Sequence, residues 1–389
     1  MKKGGTPDLL VVGGGVWGTW TALQARRLGA SVQLIEEREP GHPQTTSGDH
    51  SRIIRHSHGE DTLLLSWAQR SLAAWKELGA QVGEEIFVNT GVAWFVSGTG
   101  IWEGSSELRM REAGVPCERL TVDEALRRWP AAAGDHVRYV LLEPTAGFLR
   151  AGDGVRAAAR ALREEGGEII RGRATPAADG TALDESGAQI SAGATVWAAG
   201  PWLPTLFPAL VGADAEASIV PTRRDAIYFD APGMGLGEIP TWIDEGLAVW
   251  GIPDERGHGT KVGPEFDNGS FNPSEWPDAA HPGSIERARS CAVRFPRLSD
   301  APIRESRACQ HERTKSGHYV LDQHPDNPQV WLAGGGSGHG YKQGPAVGEM
   351  VARAALHRDP LVLPDRRFAL HNRAGGPSSP MGDMGEPNS

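Results

Sequence analysis

Apolar and polar positions alternate along the chain in two textures. Residues 8–13, Asp-Leu-Leu-Val-Val-Gly, are a short apolar run without alternation, the pattern of a strand buried on both faces. Residues 16–29 carry helical spacing, with Leu23 and Leu28 on one face and Gly29 as a stop signal. Residues 31–36, Ser-Val-Gln-Leu-Ile-Glu, predict a second strand, so 8–36 form a strand–helix–strand unit of the length a parallel pair requires. Residues 63–78 predict an amphipathic helix, and 86–97 alternate like two paired strands around a turn. A helix over 153–165, a strand over 167–171, a hairpin-like stretch over 180–192 and an apolar strand over 194–199 follow. Residues 218–300 change texture, with β-type alternation and Pro/Gly turns. Strands at 318–322 and 329–333 and a helix over 343–357 then return to the first pattern. Residues 373–389 have almost nothing to bury and are expected to be a disordered tail. No internal repeat is seen.

Elements of one kind therefore stand at both ends and in the middle of the chain, with segments of another kind between them. The expected fold class is α/β with an α+β part: one discontinuous Rossmann-like nucleotide domain with an inserted antiparallel-sheet substrate domain. The expected division is 1–88, 146–217 and 310–372 for the first domain, with 89–145 and 218–309 for the second.

The first turn of this pattern carries chemistry. Gly13-Gly14-Gly15-Val16-Trp17-Gly18 fits G-x-G-x-x-G between strand and helix. Gly13 permits the tight turn, Gly15 the approach of a pyrophosphate, and Gly18 close helix–strand packing, while the helix N-terminus offers amide donors and a positive dipole. Glu36 ends the second strand, where a carboxylate hydrogen-bonds a ribose 2′-OH. That acid disfavours a 2′-phosphate, so NAD or FAD is preferred over NADP.

Composition narrows the classes further. The 389 residues are 39% hydrophobic and 23% charged, with a net charge of −10. An acidic chain of ordinary composition is a poor nucleic-acid partner. No apolar run reaches membrane-spanning length, and the brief Leu-Leu-Val-Val run is read as a buried strand rather than a signal peptide. The three cysteines, Cys117, Cys291 and Cys309, lie far apart with no pairing or zinc-type spacing, so a cytoplasmic location without a bound metal is expected.

Four stretches settle the preference between NAD and FAD by resemblance. Residues 47–60, SGDHSRIIRHSHGE, contain Arg52-Ile53-Ile54-Arg55-His56 preceded by Ser51. Residues 335–342, GGSGHGYK, fit G-x-SGHG-[FY]-K, with Gly336, Gly338, His339, Gly340 and Lys342. Residues 259–263, Gly-Thr-Lys-Val-Gly, fit G-x-K-x-G, and 194–202, ATVWAAGPW, is a further strand of the same type. In this order, from about 8 to 370, they resemble the monomeric sarcosine oxidase and N-methyltryptophan oxidase family of D-amino-acid-oxidase-like flavoproteins. The resemblance implies FAD, held covalently by a thioether from Cys309, which precedes Tyr319-Val320-Leu321-Asp322-Gln323-His324-Pro325 as the family's cysteine precedes its F-I-I-D-x-x-P strand. Arg307 and His311 are expected to lower the thiol pKa. Cys117 and Cys291 are read as structural.

The same resemblance assigns roles to side chains. It implies that Arg55 and Lys342 clamp a substrate carboxylate, that Lys261 activates dioxygen over the flavin, and that Arg52 modulates the ring. Ser51 stands where the family has threonine. His339 is read as packing at the flavin edge, Trp17 and Trp20 as packing residues, and His56 and His58 as structural or solvated. There are departures. Gly48 replaces a family histidine, and His50 takes an aspartate position. Glu265 replaces an active-site histidine and Trp250 a pocket tyrosine. These changes argue against sarcosine itself and suggest that Glu265 recognises a cationic or hydrogen-bonding group on a larger substrate. The implied activity is oxidation of a secondary or tertiary amine, an N-methyl or cyclic α-amino acid, to an imine, with O2 as acceptor and H2O2 released by a monomer. The alternatives are a flavin dehydrogenase serving another acceptor, an NAD-dependent enzyme, and a non-catalytic flavin-binding protein.

Overall fold

A computed structural model describes residues 5–265, 269–277, 279–357 and 366–371. The tail expected over 373–389 lies outside these described residues. The strand–helix–strand unit at the start of the chain builds the centre of a six-stranded sheet. Its strands run in the order Val320–His324, Asn327–Gly334, Ala194–Trp197, Leu9–Val12, Val32–Glu36, Glu168–Arg171. Leu9 is in register with Val32 on one side and Ala194 on the other, both parallel. Only the edge strand Val320–His324 runs antiparallel to its neighbour. The first strand is fully buried because helices cover it. Val16–Arg27, Thr62–Val82, Ala151–Glu164 and Gly344–Ala355 share one apolar core with the sheet, in which Trp20, Trp75 and Leu23 are buried. Strand order reverses beside Leu9–Val12, so a crevice opens at its carboxyl end, where ligands of open α/β sheets bind.

The second texture forms an eight-stranded sheet. Its order is Ile303–Thr314, Ile219–Phe229, Thr260–Pro264, Val249–Ile252, Thr241–Asp244, Val92–Val96, Tyr139–Glu143, Glu118–Leu120. All neighbours are antiparallel except Thr241–Asp244 with Val92–Val96. It has its own core around Phe95, Phe229, Trp242 and Phe295. A small antiparallel sheet, Ser51–Ile54, Gly147–Arg150, Phe87–Asn89, completes the set. The architecture is thus a Rossmann-like sheet covered by helices, joined to a mostly antiparallel sheet.

Two readings need correction. The strands predicted within 86–97 do not pair with each other: Phe87–Asn89 joins Gly147–Arg150, and Val92–Val96 joins the larger sheet. Alternation alone identifies a strand but not its partner. Cys309 stands ahead of the strand Val320–His324 as expected, but it also lies inside a twelve-residue strand that the pattern did not predict, Ile303–Thr314, opposite Arg224. That strand's polar half hid it, because its outward positions face the cavity described below. The helices Ile101–Glu112 and Pro282–Ser290 were not anticipated. Among the described residues no helix is long and apolar enough to cross a membrane.

Candidate active site

The nucleotide end of the crevice is built by positions where no side chain fits. Gly13 has φ +106°, and a Cβ there would lie 2.5 Å from the Ala198 carbonyl. A Cβ on Gly18 would lie 1.8 Å from the Gly13 carbonyl, which sets the helix directly on the strand. Gly15 precedes the helix without a side-chain cap, and no acid stands in the first turn, so the dipole is free for an anion. Ser47 Oγ accepts from the Val16 amide at 3.0 Å. Glu36 accepts from the amides of Gly14 and Arg38. One cavity is lined by Gly13, Gly15 and Glu36 and also by Arg52, Cys309, Lys261 and Lys342. A bare glycine cradle continuous with a cluster of cations fits FAD, whose diphosphate and ring are joined by a chain.

The middle of the cavity is organised by Asp49. Its Oδ2 accepts from Lys261 Nζ at 2.6 Å and from Arg52 Nη1. Its Oδ1 accepts from the His50 amide at 2.7 Å, Tyr228 OH at 2.6 Å and Arg307 Nη1 at 3.2 Å. Burial pushes the Asp49 carboxyl up, but Lys261, Arg52 and Arg307 outweigh it and hold it well below the usual range. Lys261 also donates to the Ser51 carbonyl at 2.8 Å, and its ammonium lies 5.2 Å from the Trp250 ring. Burial, with Arg52 adding to it, lowers Lys261 to about 8 despite the pull of Asp49. It is 1% exposed, so it is not an ordinary surface lysine on a strand.

Arg55 and Lys342 form a second pair of cations in the same cavity. Arg55 sits over the rings of Trp94 and Trp102, 5.1 and 5.6 Å from their centroids, and donates to the Ser57 carbonyl. Lys342 Nζ donates to the His339 carbonyl at 3.1 Å. Both are buried and line the cavity. Burial lowers Arg55 to about 10, and burial plus Arg55 holds Lys342 well below its ordinary value. Among the described residues neither forms an ion pair. Glu143, the nearest carboxylate in effect, is taken up by the His56 amide and Ser57 Oγ.

The remaining sequence-predicted residues fall around these clusters. Trp250, Glu265, Gly336, Gly338, His339 and Gly340 line the cavity. Gly18 and Ser51 do not: one packs the helix and the other supplies its carbonyl to Lys261. Glu265 is held by Arg224, Nε to Oε2 at 3.4 Å. His339 is buried, with Nδ1 2.7 Å from Tyr319 OH. Trp17 Nε1 donates to the Gly340 carbonyl at 2.9 Å, tying the first helix to the C-terminal glycine loop. His56 and His58 are buried, not solvated.

The expected low thiol pKa at Cys309 is not found. Burial and the Asp49 carboxylate, 3.8 Å from Sγ, push it up to about 11, against Arg52, Lys261 and Arg307. Burial keeps His311 neutral, so it lends no charge. Sequence reasoning also passed over Asp49, Tyr228 and Glu312. Asp49 stands inside the SGDHSRIIRH segment and was legible as an acid beside an arginine. Tyr228 and Glu312 belong to no motif, and only strand register brings them in.

Residues 8–354 match the family described as FAD dependent oxidoreductase. A monomeric sarcosine oxidase of Bacillus sp. (strain B-0618) is 24% identical over 374 residues, covering 90% of this chain and 92% of the relative. An N-methyl-L-tryptophan oxidase of Salmonella arizonae is 25% identical over 371 residues, covering 91% and 95%. The structure of L-proline dehydrogenase from P. horikoshii shares the fold with a TM-score of 0.81 at 21% identity, covering 94% of this chain and 97% of that one. With its glycine cradle, its reversal of strand order and a match over nearly its whole length, the chain belongs to the FAD dependent oxidoreductase family.

Proposed function

We propose that the protein oxidises a secondary or tertiary amine, an N-methyl or cyclic α-amino acid, to an imine with release of H2O2. The observation that carries this reading is the pair Arg55 and Lys342, two buried cations lining the cavity without an ionic partner among the described residues. Two like charges out of water are unfavourable alone, and a carboxylate between them relieves both. Arg55 offers a planar two-donor fork and Lys342 a point charge.

FAD, when bound, supplies the two-electron acceptor for the C–H beside the substrate nitrogen. The chain's own residues do the rest. Arg55 and Lys342 fix the carboxylate and so aim the adjacent carbon. The cationic cluster, with Lys261, disfavours a protonated amine and selects the neutral nitrogen that oxidation needs. Lys261 places a buried positive charge where dioxygen gains negative charge, and Arg52 adds a second. Trp250 narrows the pocket. Glu265, held by Arg224, is available to accept from a donor on a larger substrate.

Cys309 Sγ is the atom we assign to a thioether with the cofactor's 8α-methyl group. Such a link would replace the thiol S–H and one methyl C–H by an S–C bond, with both hydrogens and two electrons going to dioxygen. Burial and Asp49 keep the free thiol protonated against the pull of Arg52, Lys261 and Arg307, so the proton would have to leave as the bond forms. The cofactor residues we infer are Gly13, Gly15, Gly18, Glu36, Ser51, Arg52, Gly336, Gly338, His339, Gly340 and Lys342. The domain division given above and a cytoplasmic monomer are part of the same reading; the three unpaired cysteines fit a reducing compartment.

A second reading is favoured by Asp49. Its carboxylate, 2.6 Å from Lys261 Nζ, offsets the charge meant for dioxygen and suits a dehydrogenase that passes electrons to another acceptor. A panel of N-methyl and cyclic α-amino acids coupled to peroxide detection tests the proposal. Substrate-dependent peroxide is expected. Substrate that bleaches the yellow colour while air fails to restore it would select the dehydrogenase instead.

A further inference from the structure

Glu312 is a buried carboxyl that the proposed reaction does not use. It lies on the strand Ile303–Thr314, three residues beyond Cys309, and lines the same cavity. Its backbone carbonyl accepts from the Ser337 amide at 2.8 Å, which locks the strand to the glycine loop 335–340. Its Oε1 accepts from the Gly336 amide at 3.2 Å. Its Oε2 is buried and has no hydrogen-bond partner. The wall around it is bare backbone: a Cβ on Gly200 would lie 3.6 Å from Oε2, and one on Gly336 3.5 Å from Oε1.

An orphaned, buried carboxyl oxygen in a ligand cavity is costly unless the ligand completes it. We propose that Glu312 contacts the cofactor as a neutral carboxylic acid, with Oε1 as the carbonyl oxygen fixed by Gly336 and Oε2–H donating to an acceptor atom of FAD, so that FAD binding is coupled to proton uptake. The choice of the neutral form follows from the surroundings. On its own strand the titratable and charged neighbours are His311, which burial keeps neutral, and Arg313. Across the sheet it faces Pro221. From the glycine loop it meets Gly335, Gly336 and Ser337, with His339 beyond, also held neutral by burial. From the one-turn helix Gly200–Trp202 it meets Gly200. Only the amides of Gly335 and Gly336 oppose burial, which pushes the carboxyl up to about 7. The diphosphate of FAD brings further negative charge and favours the neutral acid again.

The sign follows from linkage. Below about pH 7 the free protein already carries the proton, and FAD affinity does not change with pH. Above it the free protein has lost the proton and must regain it on binding, so affinity falls by up to roughly tenfold per pH unit until the proton leaves the complex as well. The inference rests on FAD occupancy, not on the substrate, so a protein that makes no peroxide leaves it standing.

The test uses the full chain as Cys309→Ser, so that no tether holds the cofactor, and measures the Kd for FAD by fluorescence at pH 6, 7, 8 and 9. The parent is expected to weaken progressively above pH 7. Adding Glu312→Gln keeps the shape and supplies an Nε2 donor, so the curve should flatten and stay close to the low-pH affinity. Lys261 also titrates near this range, and the difference between the two proteins isolates Glu312 from it. A flat parent curve, or the same slope in both proteins, overturns the proposal. Calorimetry of both proteins at pH 8, in two buffers of different ionisation enthalpy, counts the proton, since Lys261 contributes alike to each. About one proton more taken up per FAD by the parent is expected, and an equal uptake in both proteins, or a release, overturns the proposal equally.

Discussion

Asp49→Asn leaves Lys261, Arg52 and Arg307 crowded around a neutral amide. Removing one partner of a buried ion pair costs about 3–5 kcal/mol. The asparagine still accepts from Tyr228 or the His50 amide, so the lower end applies here. The more telling effect is on Lys261. Its ammonium is 2.6 Å from Oδ2, and burial already lowers it to about 8. A hydrogen bond between charged groups is worth about 1.5–3 kcal/mol. Its loss moves the ammonium down by about one to two pH units, at 1.36 kcal/mol each. In the wild type the ammonium dominates below pH 8. In the variant the midpoint falls to about 6–7, and at pH 7.5 the charged fraction drops by roughly eightfold. Stopped-flow mixing of the substrate-reduced enzyme with O2 between pH 5.5 and 9.5 reads this directly. The wild-type rate should fall as pH rises through about 8, and the variant rate at lower pH. Below about pH 6 the variant should react at least as fast, since its ammonium no longer faces a carboxylate. Two curves with the same midpoint would refute the assignment of both residues. Stability gives an independent check. Asp49 has a folded-state pKa below its unfolded one, so its contribution is present above about pH 4 and is lost as pH falls through the folded value. The gap in unfolding midpoint between wild type and variant should therefore close in acid.

Other outcomes follow from the same geometry. Lys342→Gln should raise KM for α-amino acid substrates by roughly 10- to 150-fold, the worth of one charge-assisted hydrogen bond, while FAD stays bound. An unchanged KM would remove Lys342 from the clamp. Because burial and Arg55 depress Lys342, kcat/KM for carboxylate substrates should decline with rising pH below the ordinary lysine range, and a substrate ester should not show that decline. Denatured wild-type protein should keep its yellow colour on the polypeptide through gel filtration, and Cys309→Ser should lose it. Colour lost from both removes the tether but not the cofactor. Glu265→Gln should shift preference across a panel of amines of increasing size, and identical preference would return Glu265 to the role of a partner for Arg224.

Much of this site is legible along the chain because the cofactor's demands are local. A diphosphate needs bare backbone ahead of a helix, and Gly13, Gly15 and Gly18 supply it within six residues. Arg52 comes from one short strand and Arg55 follows directly after it, while Lys342 stands on the one-turn helix that follows the glycine loop. Lys261, between Gly259 and Gly263, is singled out by the resemblance, since a lysine on a strand is otherwise common. What cannot be read locally is which charges meet. Asp49 and Lys261 are 212 positions apart, and the strand register that brings Tyr228, Cys309 and Lys261 onto one wall is set by pairing across the eight-stranded sheet. Cys309 shows the consequence: Arg307 two residues away suggests an acidic thiol, but burial and Asp49 reverse the direction. Glu312 shows it again, since nothing in a polar strand says that one carboxyl oxygen ends without a partner. Motif and periodicity determined a dinucleotide-type cofactor and the first sheet, and the family resemblance singled out FAD and the cations. Tertiary structure alone decided their protonation and partners, because those depend on desolvation and on neighbours a few ångströms away in space but hundreds of residues away in the chain.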